Sequence, residues 1–572
     1  MRTLVVSRIR VVSVVVIVVA MVLVGRLYMV QVVRGDDFSE RAERQYIRPQ
    51  EGVFDRGDIF FEDKNGERIA AAAIQSGFTL AINPRVLDIT PEELYTELSA
   101  HIDIDYDTVV YRAGKSDDPY EELRGQLTEE EADLISALDI DGVYLYRHGW
   151  RYYPGGSLAA QTIGFIGSEG GDERVGQYGI ERHYEEVLVR HEESVYVNFF
   201  AEVFANVSDA LDTDSEFRGQ GDVVVTIEPS AQAFLETTLE EVADVWQSRE
   251  VGGIVMDPTT GAIVAMGSYP AFDLNAFNEV DDISVFSNPL VESLFEMGSI
   301  IKPLTMAAGL DSGAVTPLTT YEDKGQVTYD GYTIYNYDGK ARGVVPMQEV
   351  LNQSLNTGVS YVVTQMGTKE FAEYMEAFGI RETTGIDLPG EVRGLTDNLD
   401  SPRRIEFATA SFGQGIAMTP IATARALAAL ANGGYLVQPH VVKEIDYDVG
   451  PSKVFKYEQK GPVISETTSD TITRMLVKVV DDALLGGTVS IERHSIAAKT
   501  GTAQIASPYG GYYEDRFLHS FFGYFPAYEP RFLVFLYNRE PVGARYASQT
   551  LTDPFMKLAK FLLSYYEVPP DR

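Results

Sequence analysis

The chain has no cysteine among its 572 residues. That excludes disulfides, a thiolate metal site and a cysteine nucleophile. It does not fix the compartment, because an exported protein can do without disulfides. Histidine is scarce as well. The seven histidines are scattered, with no His-Glu-x-x-His or paired spacing, so no metal site is expected of them. Positive charge is the third shortage. Forty-seven lysines and arginines stand against 85 acidic residues, and the net charge of −38 disfavours nucleic acid as a partner. The acid is concentrated in the first half, as in Asp103-Ile104-Asp105-Tyr106-Asp107 and Glu129-Glu130-Glu131. Such runs read as solvated faces that serve solubility or adaptation to salt. Internal repeats and low-complexity tracts are lacking. What is present is a globular apolar fraction of 45%, in a chain long enough for a short anchor and two or more domains.

The longest apolar run comes first. Arg2, Arg8 and Arg10 precede residues 11–33, which are apolar apart from Ser13, Gly25, Arg26, Tyr28 and Gln31. About 20 apolar residues span a bilayer. Residues 1–10 therefore read as a cytoplasmic tail and 11–33 as a single transmembrane anchor, with the bulk of the chain outside. A cleaved signal peptide is the rival reading, but the run is long and no Ala-x-Ala-like site follows it. The expected location is the cell (inner) membrane, single-pass.

Residues 34–220 have mixed character. The stretch from Arg56 to Ala70 reads as strand, Asn65-Gly66 turn, strand. Residues 91–101 and 128–138 read as short amphipathic helices, and Tyr153-Pro154-Gly155-Gly156 as a turn into another. No nucleophile with a partner base stands out, so the segment is expected to be a pedestal. From Gly221 to the end, 221–572, the pattern changes. A strand at 222–227, a helix at 230–247 and a hairpin around Asp257–Gly261 open it. Helices are expected through 299–432 and at 467–485, then strands at 495–505, 520–525 and 531–538, and a helix at 551–566. Strands at both ends with helices between imply an α+β plan, an antiparallel sheet packed between helical layers.

The chemistry is carried by three short motifs in order, each present once. Ser299 and Lys302 stand three residues apart before an apolar run. In a helix they share a face, and Pro303 falls in the first turn, where a missing N–H costs little. A serine at a helix start also feels the positive end of the dipole, which favours an alkoxide. Ser354-Leu355-Asn356 follows, on a loop between helices. Lys499-Thr500-Gly501-Thr502 comes last, in a run of small and β-branched residues that reads as a strand along a cleft wall. Each motif alone has a bland reading: a capping serine, a pair of helix caps, a strand-edge lysine. The ordered set belongs to penicillin-binding proteins and serine β-lactamases. On that reading Ser299 is the nucleophile. Lys302 is its base if desolvation and a nearby positive charge, such as Lys499, keep it neutral. Ser354 relays a proton to the leaving group, and Asn356 holds Lys302 or a substrate carbonyl. Lys499, Thr500 and Thr502 suit a substrate carboxylate. Gly501 allows close approach, and the amides of Ser299 and Thr502 are candidates for an oxyanion hole.

The wider pattern resembles the class B penicillin-binding proteins, monofunctional peptidoglycan D,D-transpeptidases. Arg56-Gly57 through Asn65-Gly66, Tyr153-Pro154-Gly155-Gly156 and Gly176-Gln177-Tyr178-Gly179-Ile180-Glu181 resemble the family's pedestal motifs. Ser411-Phe412-Gly413-Gln414-Gly415, Thr419-Pro420 and Ser520-Phe521-Phe522-Gly523-Tyr524-Phe525-Pro526-Ala527 resemble its transpeptidase domain. Residues 86–145 and 188–220 match poorly, and Met297 stands where the family usually has proline. The resemblance implies cross-linking of stem peptides through an acyl-serine, β-lactams as inhibitors, and no metal or organic cofactor. It also implies a membrane glycosyltransferase of the shape, elongation, division and sporulation group as partner. Length and single anchor favour the division-type septal enzyme over the elongation type. A catalytically silent scaffold and a β-lactamase are the readings from other classes. The latter needs a water-activating base, which the sequence does not offer.

Overall fold

The computed structural model describes residues 55–168, 174–190 and 219–572. The expected anchor at 11–33 lies outside the described residues. Among those residues, no helix is long and apolar enough to cross a membrane. The chain forms two compact units. One takes in residues 74–150, and the other is assembled from 56–73 and 151–572. The sequence reading drew its boundary at 220. In space, residues 151–190 and the first hairpin belong to the larger unit.

In the smaller unit, the helices Pro91–Ser99, Tyr106–Ala113 and Glu129–Ser136 cover strands that include Glu121–Leu127. Leu80, Ile82, Leu94, Leu98, Val109, Leu127 and Ile135 form its core. Thr90 and Thr128 start two of these helices with capping boxes, their hydroxyls accepting from the amides of Glu93 and Glu131. Such caps contribute about 1 kcal/mol each.

The larger unit is built on a five-stranded antiparallel sheet. Its order is Ala497–Ala506, Tyr512–Phe525, Phe532–Arg539, Glu250–Met256, Ile263–Tyr269. Strand side chains alternate between faces. Phe521 faces one apolar cluster, with Leu235 and Leu239 of helix Pro229–Trp246 and Phe555 of helix Thr552–Tyr565. Its neighbour Phe522 faces the other, with Leu304, Leu355, Val359 and Leu476 of the inner helices. The α+β plan of a sheet between helical layers is what the structure has. The two outer helices also meet directly, with Phe234 stacked on Phe561 at 4.1 Å between centroids.

One expectation fails. Residues 320–346 fall within the stretch 299–432 expected to be helical. They form two nested hairpins, Thr320–Asp323 with Gly343–Pro346 and Gln326–Tyr329 with Tyr332–Tyr335. The reason is local. Asp330 and Gly331 both have positive φ, 50° and 83°, as a two-residue hairpin turn requires. The flanking Val, Thr and Tyr favour strand.

The pedestal motifs of the larger unit meet in a buried ionic network. Arg56 Nε and Arg151 Nε each lie 2.6 Å from a different oxygen of Glu181, whose side chain is fully buried. Arg56 also reaches Glu185 at 2.6 Å, and Tyr153 donates to Glu181 at 3.3 Å. Removing one partner of such a network strands a buried charge.

Candidate active site

Ser299 sits in a single 3-10 turn, Gly298–Ile301, that runs directly into the helix Lys302–Asp311. The Lys302 amide donates to the Ser299 carbonyl, which locks the two residues one tight turn apart. Three glycines let this turn seat where it does. Gly298 has φ +63°, and a Cβ there would lie 2.8 Å from the Thr502 carbonyl oxygen. A Cβ on Gly413, φ +79°, would lie 2.3 Å from the Gly298 carbonyl oxygen, and one on Gly501 would lie 2.3 Å from Ser520 Oγ. Real Cβ contacts are not that short, so each position accepts only glycine without a shift of backbone or neighbour.

The same turn is pinned by hydrogen bonds. The Gly298 amide donates to the Gly413 carbonyl (3.1 Å), Ser520 Oγ to the Met297 carbonyl (2.7 Å) and Thr305 Oγ1 to the Ser411 carbonyl (2.8 Å). Met297, in the position the family usually gives to proline, is buried. In the sequence, Ser411–Gly415 and Ser520 stand out only by their resemblance to family motifs. Their part in holding the turn depends on contacts more than 100 residues apart in the chain, which no local pattern reveals.

Lys302 is fully buried, and its Nζ donates to the Ser354 carbonyl at 2.5 Å and to Ser354 Oγ at 3.2 Å. Lys499, 3% exposed, brings its Nζ to the same Ser354 Oγ at 3.1 Å and to the Thr500 carbonyl at 2.9 Å. Burial, and secondarily the charge of Lys499, holds the Lys302 amine well below the usual lysine range. Burial pushes Lys499 down to about 7. The Ser299 hydroxyl is part-exposed and has no hydrogen-bond partner among the described residues. It is therefore free to meet a substrate.

Ser354 stands between helices Met347–Asn352 and Asn356–Met366 in the left-handed conformation, φ +55°. For a residue other than glycine this costs about 1–3 kcal/mol and persists only where surroundings enforce it. Of the two roles expected of Asn356, the bond to Lys302 is not made: its Nδ2 donates to the Tyr335 carbonyl of the hairpin insert at 2.9 Å, which leaves a second N–H for a substrate carbonyl. Thr500 and Gly501 lie on the strand Ala497–Ala506 with Lys499, and Thr502 Oγ1 accepts from the Ala547 amide at 3.0 Å. This strand is the sheet's edge, so one row of its backbone groups is unpaired by strands and can receive an extended peptide.

Residues 251–559 match the penicillin-binding protein transpeptidase domain, and residues 54–202 the penicillin-binding protein dimerisation domain. The chain belongs to the penicillin-binding protein transpeptidase family, in the class B form that pairs these two domains, and its activity is the peptide cross-linking of cell-wall synthesis. Stage V sporulation protein D of Bacillus subtilis (strain 168) is 29% identical over 546 residues, covering 94% of this chain and 82% of that one. Penicillin-binding protein PbpB of Mycolicibacterium smegmatis is 30% identical over 443 residues, 74% of this chain and 66% of that one. In fold, the chain resembles penicillin binding protein 2X from Streptococcus thermophilus, with a TM-score of 0.73 and 18% identity over 91% of this chain and 81% of that one.

Proposed function

We propose that Ser299 is the acylated nucleophile of a peptidoglycan D,D-transpeptidase, with Lys302 as its base. The observation that carries this reading is the convergence of two buried amines on one hydroxyl, Ser354 Oγ, at 3.2 Å from Lys302 and 3.1 Å from Lys499. Burial and the Lys499 charge lower the Lys302 pKa, which favours the neutral amine that can take a proton.

The steps follow from these groups. Ser299 Oγ bonds the carbonyl carbon of the penultimate D-alanine, and its proton passes to Lys302. The oxyanion faces the amides of Ser299 and Thr502. When the C–N bond breaks, the proton on Lys302 returns through Ser354 to the departing amine of the terminal D-alanine. An ester on Ser299 is left. An acceptor amine then attacks the ester carbon and gives up a proton to Lys302, and Ser299 departs with it. Lys499, Thr500 and Thr502 bind the substrate carboxylate, and Gly501 lets the Ser299 turn seat against the edge strand. Asn356 acts through the position of the Ser354 turn. β-Lactams acylate Ser299 in the same way. One of the similar structures, penicillin binding protein 3 from Mycobacterium tuberculosis, is complexed with ampicillin.

In the cell we assign the protein to the septum, anchored through residues 11–33 with the catalytic unit outside the inner membrane, beside a membrane glycosyltransferase. The length and single apolar run support this assignment, and an elongation role is the alternative. Fluorescent penicillin tests the chemistry. Stable labelling of the full chain that is lost in Ser299→Ala and severely slowed in Lys302→Ala is the expected result. A folded parent that does not label leaves the silent-scaffold reading, and fast turnover of the drug identifies a β-lactamase. A fluorescent fusion tests the cellular role: midcell bands are expected, and a dispersed lateral pattern indicates elongation.

A further inference from the structure

The hairpin insert, residues 320–346, grips the turn carrying Ser354 from both sides, and we infer that buried Asp323 is the positioning residue at its centre. The inference rests on the reading of Ser354 given above. The Asp323 side chain lies at 1% exposure, where every acceptor site must be filled. Its Oδ1 accepts from Thr357 Oγ1 at 2.8 Å, from the Gly325 amide at 3.0 Å and from Asn336 Nδ2 at 3.0 Å. Its Oδ2 accepts from the Arg342 amide at 2.9 Å and from Asn336 Nδ2 at 3.1 Å.

Each of these partners leads to the turn. Thr357 follows Asn356 directly, and its own amide donates to Asn336 Oδ1 at 3.3 Å. Tyr335, next to Asn336, takes the Asn356 side chain on its carbonyl at 2.9 Å. On the other flank, Arg342 Nε donates to Gln353 Oε1 at 2.8 Å, and Gln353 directly precedes Ser354. The guanidinium is steadied by Asp338, 2.7 Å away. The residues before and after the turn are thus tied to one carboxylate, one through the Arg342 backbone and the other through Thr357. This enforces the left-handed Ser354, φ +55°, whose hydroxyl and carbonyl both serve the Lys302 amine. None of these groups touches the reacting atoms. Their effect is on where Ser354 Oγ stands, and misplacement of about 1 Å can slow a reaction by roughly 10²-fold.

Asp323→Asn is the discriminating variant. It keeps the volume and Oδ1 but presents an NH2 to the Arg342 amide, which loses its acceptor, while Asn336 Nδ2 keeps its bonds to Oδ1 and to the Lys340 carbonyl. The expected result is a fall of about 10–100-fold in the first-order acylation constant for fluorescent penicillin, with its non-covalent dissociation constant within about threefold of the parent. Amide exchange at residues 353–357 should rise while the helical core stays protected. Arg342→Ala, which leaves Asp323 intact and guards against a folding failure, should lower the same constant several-fold and add little on top of Asp323→Asn. Acylation constants equal to the parent in both variants, with unchanged exchange at 353–357, overturn the inference. So does a loss of binding and acylation in equal measure. If the parent does not acylate at all, the catalytic reading fails while faster local exchange in Asp323→Asn still upholds the clamp, so the two failures are told apart.

Discussion

Lys302 and Lys499 share a single acceptor: both amines reach Ser354 Oγ, at 3.2 and 3.1 Å. Two ammonium groups so close to one hydroxyl repel each other. Both amines are held below the usual lysine range, Lys302 by burial and the Lys499 charge, Lys499 by burial to about 7. The base must be neutral, and the carboxylate-binding group must be charged. Acylation should therefore rise with pH as Lys302 loses its proton and fall above about pH 7 as Lys499 does. In Lys499→Met the alkaline fall should vanish. The rising limb should move to higher pH, because a charge that opposed protonation of Lys302 is gone. Stopped-flow acylation between pH 5 and about 10 measures both limbs.

The same lysine predicts a stability change of opposite sense to activity. A lysine with its folded pKa below the unfolded value binds fewer protons folded than unfolded, so stability rises with pH across that window. For Lys499 the window runs from about 7 up to the ordinary 10.5. The cost of burying it is fully present below that range. Lys499→Met should stabilise the protein at pH 7 by about 1–4 kcal/mol, the range found when buried charges give way to apolar groups. The gain should shrink as pH approaches 10. Thermal melts at three pH values test it, and a gain that grows with pH contradicts the sign.

Gly413→Ala separates backbone fit from chemistry. The new Cβ would lie 2.3 Å from the Gly298 carbonyl oxygen and 2.8 Å from Ile301 Cγ1, at φ +79°. The strain is about 1–3 kcal/mol and is relieved most directly by moving the turn that bears Ser299. Labelling should slow by at least about tenfold, while Ser354 and Lys499, on other segments, keep their mutual hydrogen bond. Gly433→Ala is a control, since φ there is +83° with nothing within 4 Å of the added Cβ. It should cost stability alone.

Glu181→Gln tests the pedestal network. Arg56 and Arg151 each spend a guanidinium on this one fully buried carboxylate, at 2.6 Å. Neutralising it leaves two buried cations with reduced compensation, which should cost about 3–5 kcal/mol. The acylation constant of the molecules still folded should be near that of the parent, because no member of the network touches Ser299, Lys302 or Ser354. Urea melts and active-site titration give the two numbers.

Much of the fold was legible because its elements are strongly patterned. The helix read at 230–247 is found at Pro229–Trp246, and the strand read at 531–538 at Phe532–Arg539. The hairpin insert was misread although Asp330-Gly331 announced it, since the surrounding helical motifs set the expectation for the whole stretch. For the site, the three motifs contain Lys302, Ser354 and Lys499, which the structure joins by hydrogen bonds. They did not tell that Asn356 would turn to Tyr335, or that Gly413 and Ser520 would seat the nucleophile's turn. Those facts arise from tertiary packing between distant segments, and the one-dimensional pattern carries only their residue types.

Glu296 offers a test of how the nucleophile's turn is held. It stands three residues before Ser299, and its Oε1 accepts from the Gly415 amide at 3.0 Å and the Tyr512 hydroxyl at 3.1 Å. The carboxylate thereby ties the turn to the 411–415 loop and to the strand that follows Lys499-Thr500-Gly501-Thr502. Its second oxygen is buried without a partner, and burial raises its pKa above the usual carboxylate range. A carboxyl with a raised folded pKa contributes stability below its unfolded pKa, and this is lost as pH climbs through the folded value. Glu296→Gln keeps the Oε1 acceptor and removes the titration. Relative to the parent, the variant should gain in melting temperature as pH rises from 4 to 8, with acylation retained within about fivefold because both hydrogen bonds can persist. Tyr512→Phe removes one of those bonds and should slow acylation more than Glu296→Gln does. If the melting difference between Glu296→Gln and parent is flat across that pH range, burial does not shift the Glu296 carboxyl between folded and unfolded protein, and the predicted sign is overturned.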